Sequence, residues 1–224
     1  MLTREQEKLI RSLATKKGRE SSGFCLVEGK KTIETAGSAV EYVFDSSDTP
    51  RFSQLVTTET PQALAAVARI PQWGVRDIVT RDVIVVLDGV QDPGNVGSIL
   101  RLCLGYDASL VLIESADVTS PKVVRSSVGA IFQVPWMRVA RVDALNVLKE
   151  FNRLVYRLEK VPDSKKFDSK KITRPCLLVA GSEGSGIQLS IQGESVVIFH
   201  NDKLESLNVG HALAIALFEM AHYR

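Results

Sequence analysis

Residues 83–113 read VIVVLDGVQDPGNVGSILRLCLGYDASLVLI. Val83 to Leu87 is a run of β-branched and leucine side chains with no polar residue, the pattern of a strand buried on both faces. Asp92-Pro93-Gly94-Asn95 is a turn tetrad, and Asn95 is placed to cap a helix over Val96 to Leu104. Leu110 to Ile113 then reads as a second buried strand. Strand, glycine-rich turn, helix and strand make a parallel βαβ unit. The fold class is therefore α/β, a parallel sheet covered on both faces by helices.

Working outward, the same alternation continues toward the C-terminus. A Pro-started segment begins at Pro121, a helix is expected near Ala144 to Phe151, and strands near Leu154–Tyr156, Leu177–Ala180 and Val196–Phe199. A final helix is expected from about Asn208 to His222. Toward the N-terminus, a helix capped by Thr3 is expected from Arg4 to Thr15, with Leu9, Ile10 and Leu13 on one face. Short apolar runs follow at Phe24–Val27, Tyr42–Phe44, Leu55–Thr57 and Val75–Val79, with a Pro-initiated helix over Pro61 to Ala68 between the last two. These form a small α/β unit, and a boundary near Arg76 to Arg81 divides the chain into residues 1–78 and 79–224.

Among 224 residues, 45% are hydrophobic and 24% charged, which excludes disordered and fibrous classes. Cys25, Cys103 and Cys176 are odd in number and widely spaced, as expected of reduced thiols inside a cell. The run Val83–Leu87 falls far short of the ~20 residues a membrane helix needs, and the charged N-terminus offers no apolar signal segment. The expected location is the cytoplasm. His200, His211 and His222 have no metal-ligand spacing, so no metal is expected. The net charge of +2 hides two basic islands. Residues 1–31 carry eight Lys/Arg against four acids, and residues 160–174 carry six against two. Such clusters are either solvated faces or phosphate contacts.

Three polar loops follow apolar strands, where an open parallel sheet collects its ligands. The first holds Asn95 and, six residues on, Arg101, a lone cation in an apolar helix. The second, Gly181-Ser-Glu183-Gly184-Ser-Gly186-Ile187, lets backbone approach a ligand closely, but its G-x-x-G-x-G spacing is not that of a dinucleotide fingerprint. The third, Glu205-Ser206-Leu207-Asn208-Val209-Gly210-His211, reads first as a helix N-cap at Ser206 or Asn208. Each loop alone has an adequate structural explanation; their joint occurrence in this order does not.

Together they resemble the three signature motifs of the SpoU (TrmH) class of RNA ribose 2'-O-methyltransferases in the SPOUT superfamily. LDGVQDPGNVGSILRLC resembles the first motif, LLVAGSEGSGI the second and IFHNDKLESLNVGHALAIALFE the third. SPKVVRSSVGAIFQVP, from Ser120 to Pro135, matches the stretch between the first two. KKGRESSGFCLVEG, from Lys16 to Gly29, is similar to the ribosomal-protein-like RNA-binding domain that often precedes this catalytic domain. One departure stands out: Ile198-Phe199-His200 replaces the usual Ile-Pro-Met, which removes a φ restraint from a loop expected to wrap the cofactor.

The resemblance implies a C-terminal trefoil knot holding S-adenosylmethionine, a homodimer formed around it, and tRNA or rRNA as substrate. It implies catalytic roles for Asn95, Arg101, Glu183, Ser206 and Asn208. Cofactor contacts would come from Gly181, Glu183, Gly184, Ile198, Leu207 and Asn208, and RNA contacts from Lys17, Arg19, Arg101 and Arg125. Methyl transfer by in-line displacement leaves positioning and proton removal to the protein. The family assigns the arginine matching Arg101 the base role. A guanidinium with a pKa above about 12 is better suited to clamp a phosphate and orient the ribose. The alternative reading is a non-catalytic RNA-binding protein of the same fold. A dinucleotide oxidoreductase fails on the spacing of the second loop, and a base methyltransferase on the first motif.

Overall fold

The structure, a computed structural model, describes residues 1–58 and 63–222. Its helices are α1 (Arg4–Ser12), α2 (Lys16–Ser22), α3 (Lys30–Ala36), α4 (Phe52–Leu55), α5 (Val75–Val79), α6 (Pro93–Gly105), α7 (Pro121–Ser126), α8 (Arg141–Glu150) and α9 (Val209–His222). Its strands are β1 (Phe24–Glu28), β2 (Val40–Asp45), β3 (Leu64–Arg69), β4 (Val83–Asp88), β5 (Ala108–Ile113), β6 (Trp136–Val139), β7 (Leu154–Leu158), β8 (Lys165–Lys166), β9 (Cys176–Gly181) and β10 (Glu194–Val197). The chain divides into two compact units. The first comprises residues 1–72 and 117–133; the second runs from Trp73 to Ala116 and onward from Val134. A single cut near residue 78 does not describe this partition, because the chain returns to the first unit at Asp117.

The first unit is a three-stranded antiparallel sheet ordered β1-β3-β2. The segment expected as a helix over Pro61–Ala68 is strand β3 from Leu64 onward, while Pro61 lies outside the described residues. Helix propensity, highest for alanine, is small in energy per residue, and here the central position of the sheet overrides it. β3 is paired on both sides, and Ala65, Ala66, Val67 and Ala68 are all fully buried. α1 begins as expected, with Thr3 and Gln6 exchanging side-chain-to-backbone hydrogen bonds. It stops at Ser12 rather than Thr15 because the Thr15 hydroxyl accepts the Gly18 N–H and caps α2. Ile10 and Leu13 pack on Leu26, Phe44, Phe52 and Val67. Each such fully buried aliphatic side chain contributes about 1.5–3 kcal/mol.

The returning segment is fastened by polar as well as apolar contacts. Arg19, 3% exposed, donates to the Leu13 carbonyl (2.6 Å) and the Thr119 hydroxyl (3.2 Å), and forms an ion pair with Asp117. Burial raises the Asp117 carboxyl, but hydrogen bonds from Arg19 and Thr119 outweigh it and hold the group below its ordinary value. Gly129 has φ +81°, and a Cβ there would lie 2.7 Å from Thr35, so only glycine lets this turn close.

The second unit is a seven-stranded, wholly parallel sheet ordered β6-β5-β4-β9-β7-β10-β8. Ile84, Val86, Val111, Ile113, Leu177 and Val179 form part of its core with Leu148 of α8. Val75–Val79, expected as an apolar extended run, is helix α5. Arg76 and Asp77 interrupt the run, and the Asp77 carboxylate accepts the Gly74 N–H at 2.7 Å to start a turn. In the central register Asp88 stands opposite both Ile113 and Gly181. The ends of β4, β5 and β9 are thus level, and the loops after them leave side by side.

Candidate active site

α6 starts three residues earlier than its apolar pattern suggested. Pro93, which has no N–H to leave unpaired, takes the first helical position, and the Asp92 carboxylate accepts the Asn95 N–H at 2.8 Å. Asp92, not Asn95, is the N-cap, and this leaves the Asn95 side chain unengaged with its own backbone. Its amide donates to Glu183 Oε1 at 2.8 Å. The Asn208 amide donates to Asn95 Oδ1 at 3.0 Å and to the same Glu183 oxygen at 3.1 Å. Asn208 Oδ1 meanwhile accepts the N–H groups of Gly210 (3.0 Å) and His211 (3.3 Å), so it also caps α9. Gly210 permits the approach, since a Cβ there would sit 3.2 Å from both Ser98 Oγ and Asn208 Oδ1. One residue from each of the three loops thus enters a closed hydrogen-bonded ring.

Beside the ring lies a cleft of about 400 Å³, lined among others by Leu158, Gly181, Glu183, Ile187, Ser206 and Leu207. Gly181 must be glycine: a Cβ would meet the Gly186 backbone at 2.1 Å, because the Ser182–Gly186 turn folds back over it. Of the expected cofactor contacts, Gly181, Glu183 and Leu207 line the cleft; Gly184, Ile198 and Asn208 do not. Ser206 lines it but makes no hydrogen bond among the described residues. Arg101 is exposed and pairs with nothing among them. Six residues along the helix separate it from Asn95 by about 9 Å, outside the ring.

Asp88 is a site residue that sequence reasoning missed. It is fully buried at the end of β4, and its carboxylate accepts the backbone N–H groups of Gln188 (2.6 Å) and Leu189 (2.7 Å) and a guanidinium N–H of Arg141 (2.7 Å). Hydrogen bonds to Glu114 and then to Asp88 raise the Arg141 pKa further. This cluster anchors the second loop where it returns to the core. An aspartate closing an otherwise apolar strand was the available signal.

In the departure from Ile-Pro-Met, His200 Nδ1–H donates to the Ile198 carbonyl at 2.7 Å, a local tie in place of the proline ring. Of the expected RNA contacts, Lys17 is exposed on α2, but Arg19 is buried against Asp117, which takes it out of reach of a phosphate. Arg125 lies 3.9 Å from the buried carboxylate of Glu28. The cysteines are buried thiols, with Cys25 and Cys103 pushed up to about 12 by desolvation, and are poor nucleophiles. Among the described residues no group of His, Cys, Asp and Glu could hold a metal ion, and no helix is long and apolar enough to cross a membrane.

Residues 82–218 match the model of the SpoU rRNA Methylase family, and the chain belongs to that family. It is 28% identical to the 23S rRNA (guanosine(2553)-2'-O)-methyltransferase RlmP of Bacillus subtilis, over 94% of this chain and 93% of that protein. A solved protein of the TrmH family from Porphyromonas gingivalis superposes with TM-score 0.81 at 30% identity, covering 98% of each chain. The fold is shared with the SpoU methyltransferase AviRb of Streptomyces viridochromogenes in complex with AdoMet, at TM-score 0.79 and 24% identity, covering 96% of this chain and 97% of that one.

Proposed function

We propose that this protein transfers the methyl group of S-adenosylmethionine to a ribose 2'-hydroxyl of RNA. The observation that carries the reading is the ring of Asn95, Glu183 and Asn208 beside a cleft of fitting chemistry. Bare backbone at Gly181 and apolar walls at Ile187 and Leu207 suit an adenosine, and Glu183 on the rim suits the cationic sulfonium. When bound, S-adenosylmethionine supplies an electrophilic methyl whose leaving group departs uncharged. The chain's own residues supply geometry. Asn95 and Asn208 fix the Glu183 carboxylate at the cleft mouth, and Ser206 faces the same space. Gly184, flanked by the lining residues Glu183 and Ser185, adds to the cofactor surface together with Ile198 and Asn208. Arg101, exposed and unpaired among the described residues, clamps a substrate phosphate so that the 2'-oxygen attacks the methyl in line, the C–S bond breaks and the hydroxyl proton passes to solvent water.

Ribosomal RNA is the preferred substrate over tRNA, which the name of the Bacillus subtilis relative supports. The first unit, with Lys17 and Arg125, serves RNA recognition. The order of the sheet supports a C-terminal trefoil knot, because β9 inserts between β4 and β7 while β10 lies beyond β7. Exposed Ile215 and Phe218 on α9 support a homodimer, and a cytoplasmic location follows from an RNA substrate. A purely RNA-binding role would give no reason to keep the ring and cleft. The test is incubation with methyl-labelled S-adenosylmethionine and total RNA, followed by nuclease digestion and mass spectrometry. Labelled 2'-O-methyl nucleosides are expected; label confined to bases, or none, overturns the reading.

A further inference from the structure

Phe199 lies outside both ring and cleft walls. It follows β10 and is 79% exposed, so its ring gains little from folding. The Lys166 ammonium stands 5.6 Å over one face of that ring, which leaves the other face open. Nearby lysines are neutralised, Lys160 by Asp202 and Lys165 by Glu194, both at 3.1 Å. Lys166 forms no ion pair among the described residues, and its charge is available. β8 and β10 are adjacent, with Lys166 opposite Val197. Because all seven strands run one way, Phe199 leaves the same edge of the sheet as the Asn95 and Glu183 loops. β10 is two strands from β9, a spacing of about 10 Å.

We propose that Phe199 and Lys166 form a stacking platform for an unpaired base next to the methylated nucleotide. The open face of Phe199 takes the base and Lys166 the flanking phosphate, the combination by which proteins hold single-stranded nucleic acid. The Lys166 cation beside an exposed aromatic ring favours this occupant over an apolar protein surface. The inference rests on the proposed RNA methyl transfer and adds to it a recognition element for single-stranded substrate.

The test uses the full chain, a fluorescein-labelled oligouridylate, and a labelled RNA duplex as control. Phe199→Ala is expected to weaken oligouridylate binding by roughly 5- to 100-fold. Phe199→Trp should restore or strengthen it, and S-adenosylmethionine binding by calorimetry should stay unchanged. Equal oligouridylate affinity for wild type and Phe199→Ala overturns the proposal. So does an equal loss on the duplex, or a change in oligomeric state by light scattering, which would make the patch an interface between copies. A wild-type chain that binds oligouridylate through Phe199 but methylates no RNA refutes the enzymatic reading and leaves the platform standing.

Discussion

Asn95 donates its side-chain amide to the Glu183 carboxylate at 2.8 Å across 88 residues of chain. The bond exists because Asp92 has taken over the capping of α6. A residue that a local reading assigns to its own helix is thereby released for a long-range contact.

Glu183 is the acceptor on which both asparagines converge, so its loss frees the second loop from the other two. Glu183→Ala is expected to lower kcat/KM for methyl transfer by about 100-fold, the scale of a positioning error near 1 Å. Because the side chain is exposed, the melting temperature should barely move. Near-normal turnover with RNA in steady-state assays would remove the ring from the reaction.

Arg101 has no partner within the described chain, so its removal leaves no buried charge behind. Arg101→Ala should abolish methyl transfer while calorimetry finds S-adenosylmethionine affinity nearly unchanged. Wild-type turnover in the variant would exclude Arg101 from the mechanism.

Asp88 accepts two backbone N–H groups that Asn cannot accept as well while also facing Arg141. Asp88→Asn is expected to cost about 1–3 kcal/mol in urea unfolding, the range for a buried polar group left unsatisfied. It should also weaken S-adenosylmethionine binding, because Gln188 and Leu189 end the loop that covers Gly181. A variant destabilised to that degree yet binding the cofactor normally would show that the anchor serves the core alone.

The Arg19–Asp117 pair makes a pH-dependent prediction for the first unit. The folded-state pKa of Asp117 is depressed, so its contribution is present above the unfolded value of about 3.9 and is lost as pH falls through the folded value. Asp117→Asn, which leaves Arg19 buried without its anion, is expected to destabilise by about 3 kcal/mol at neutral pH. Stability curves of variant and wild type should converge once the pH has fallen through the depressed folded-state value. A gap that stays constant throughout acid titration would count against the assignment.

The parallel sheet was legible because Val83–Leu87, Leu110–Ile113 and Leu177–Ala180 are too apolar for anything but doubly covered strands. The three loops were legible as a set by resemblance, and Asn95, Glu183 and Asn208 do meet. β3 was not legible, because Leu64-Ala-Ala-Val-Ala-Arg69 is helical by propensity and extended only through pairing with β1 and β2. Asp88 shows in the sequence only as a polar end to an apolar strand, because its partners, two backbone N–H groups about 100 residues away and the Arg141 guanidinium 53 residues away, form no local pattern. The burial of Arg19 was hidden for the same reason: its anion belongs to a distant segment.

That separation has a consequence for synthesis. Arg19 and Asp117 are 98 residues apart, so at ribosomal speeds the guanidinium waits roughly 5–20 s for its partner. Residues 1–72 emerge first but leave the ribosome as a half-built body, with a cation and an uncovered β1 face exposed until Gln133 has been made. A fragment ending at Gln72 would keep that wound open permanently, and expressed alone it should aggregate.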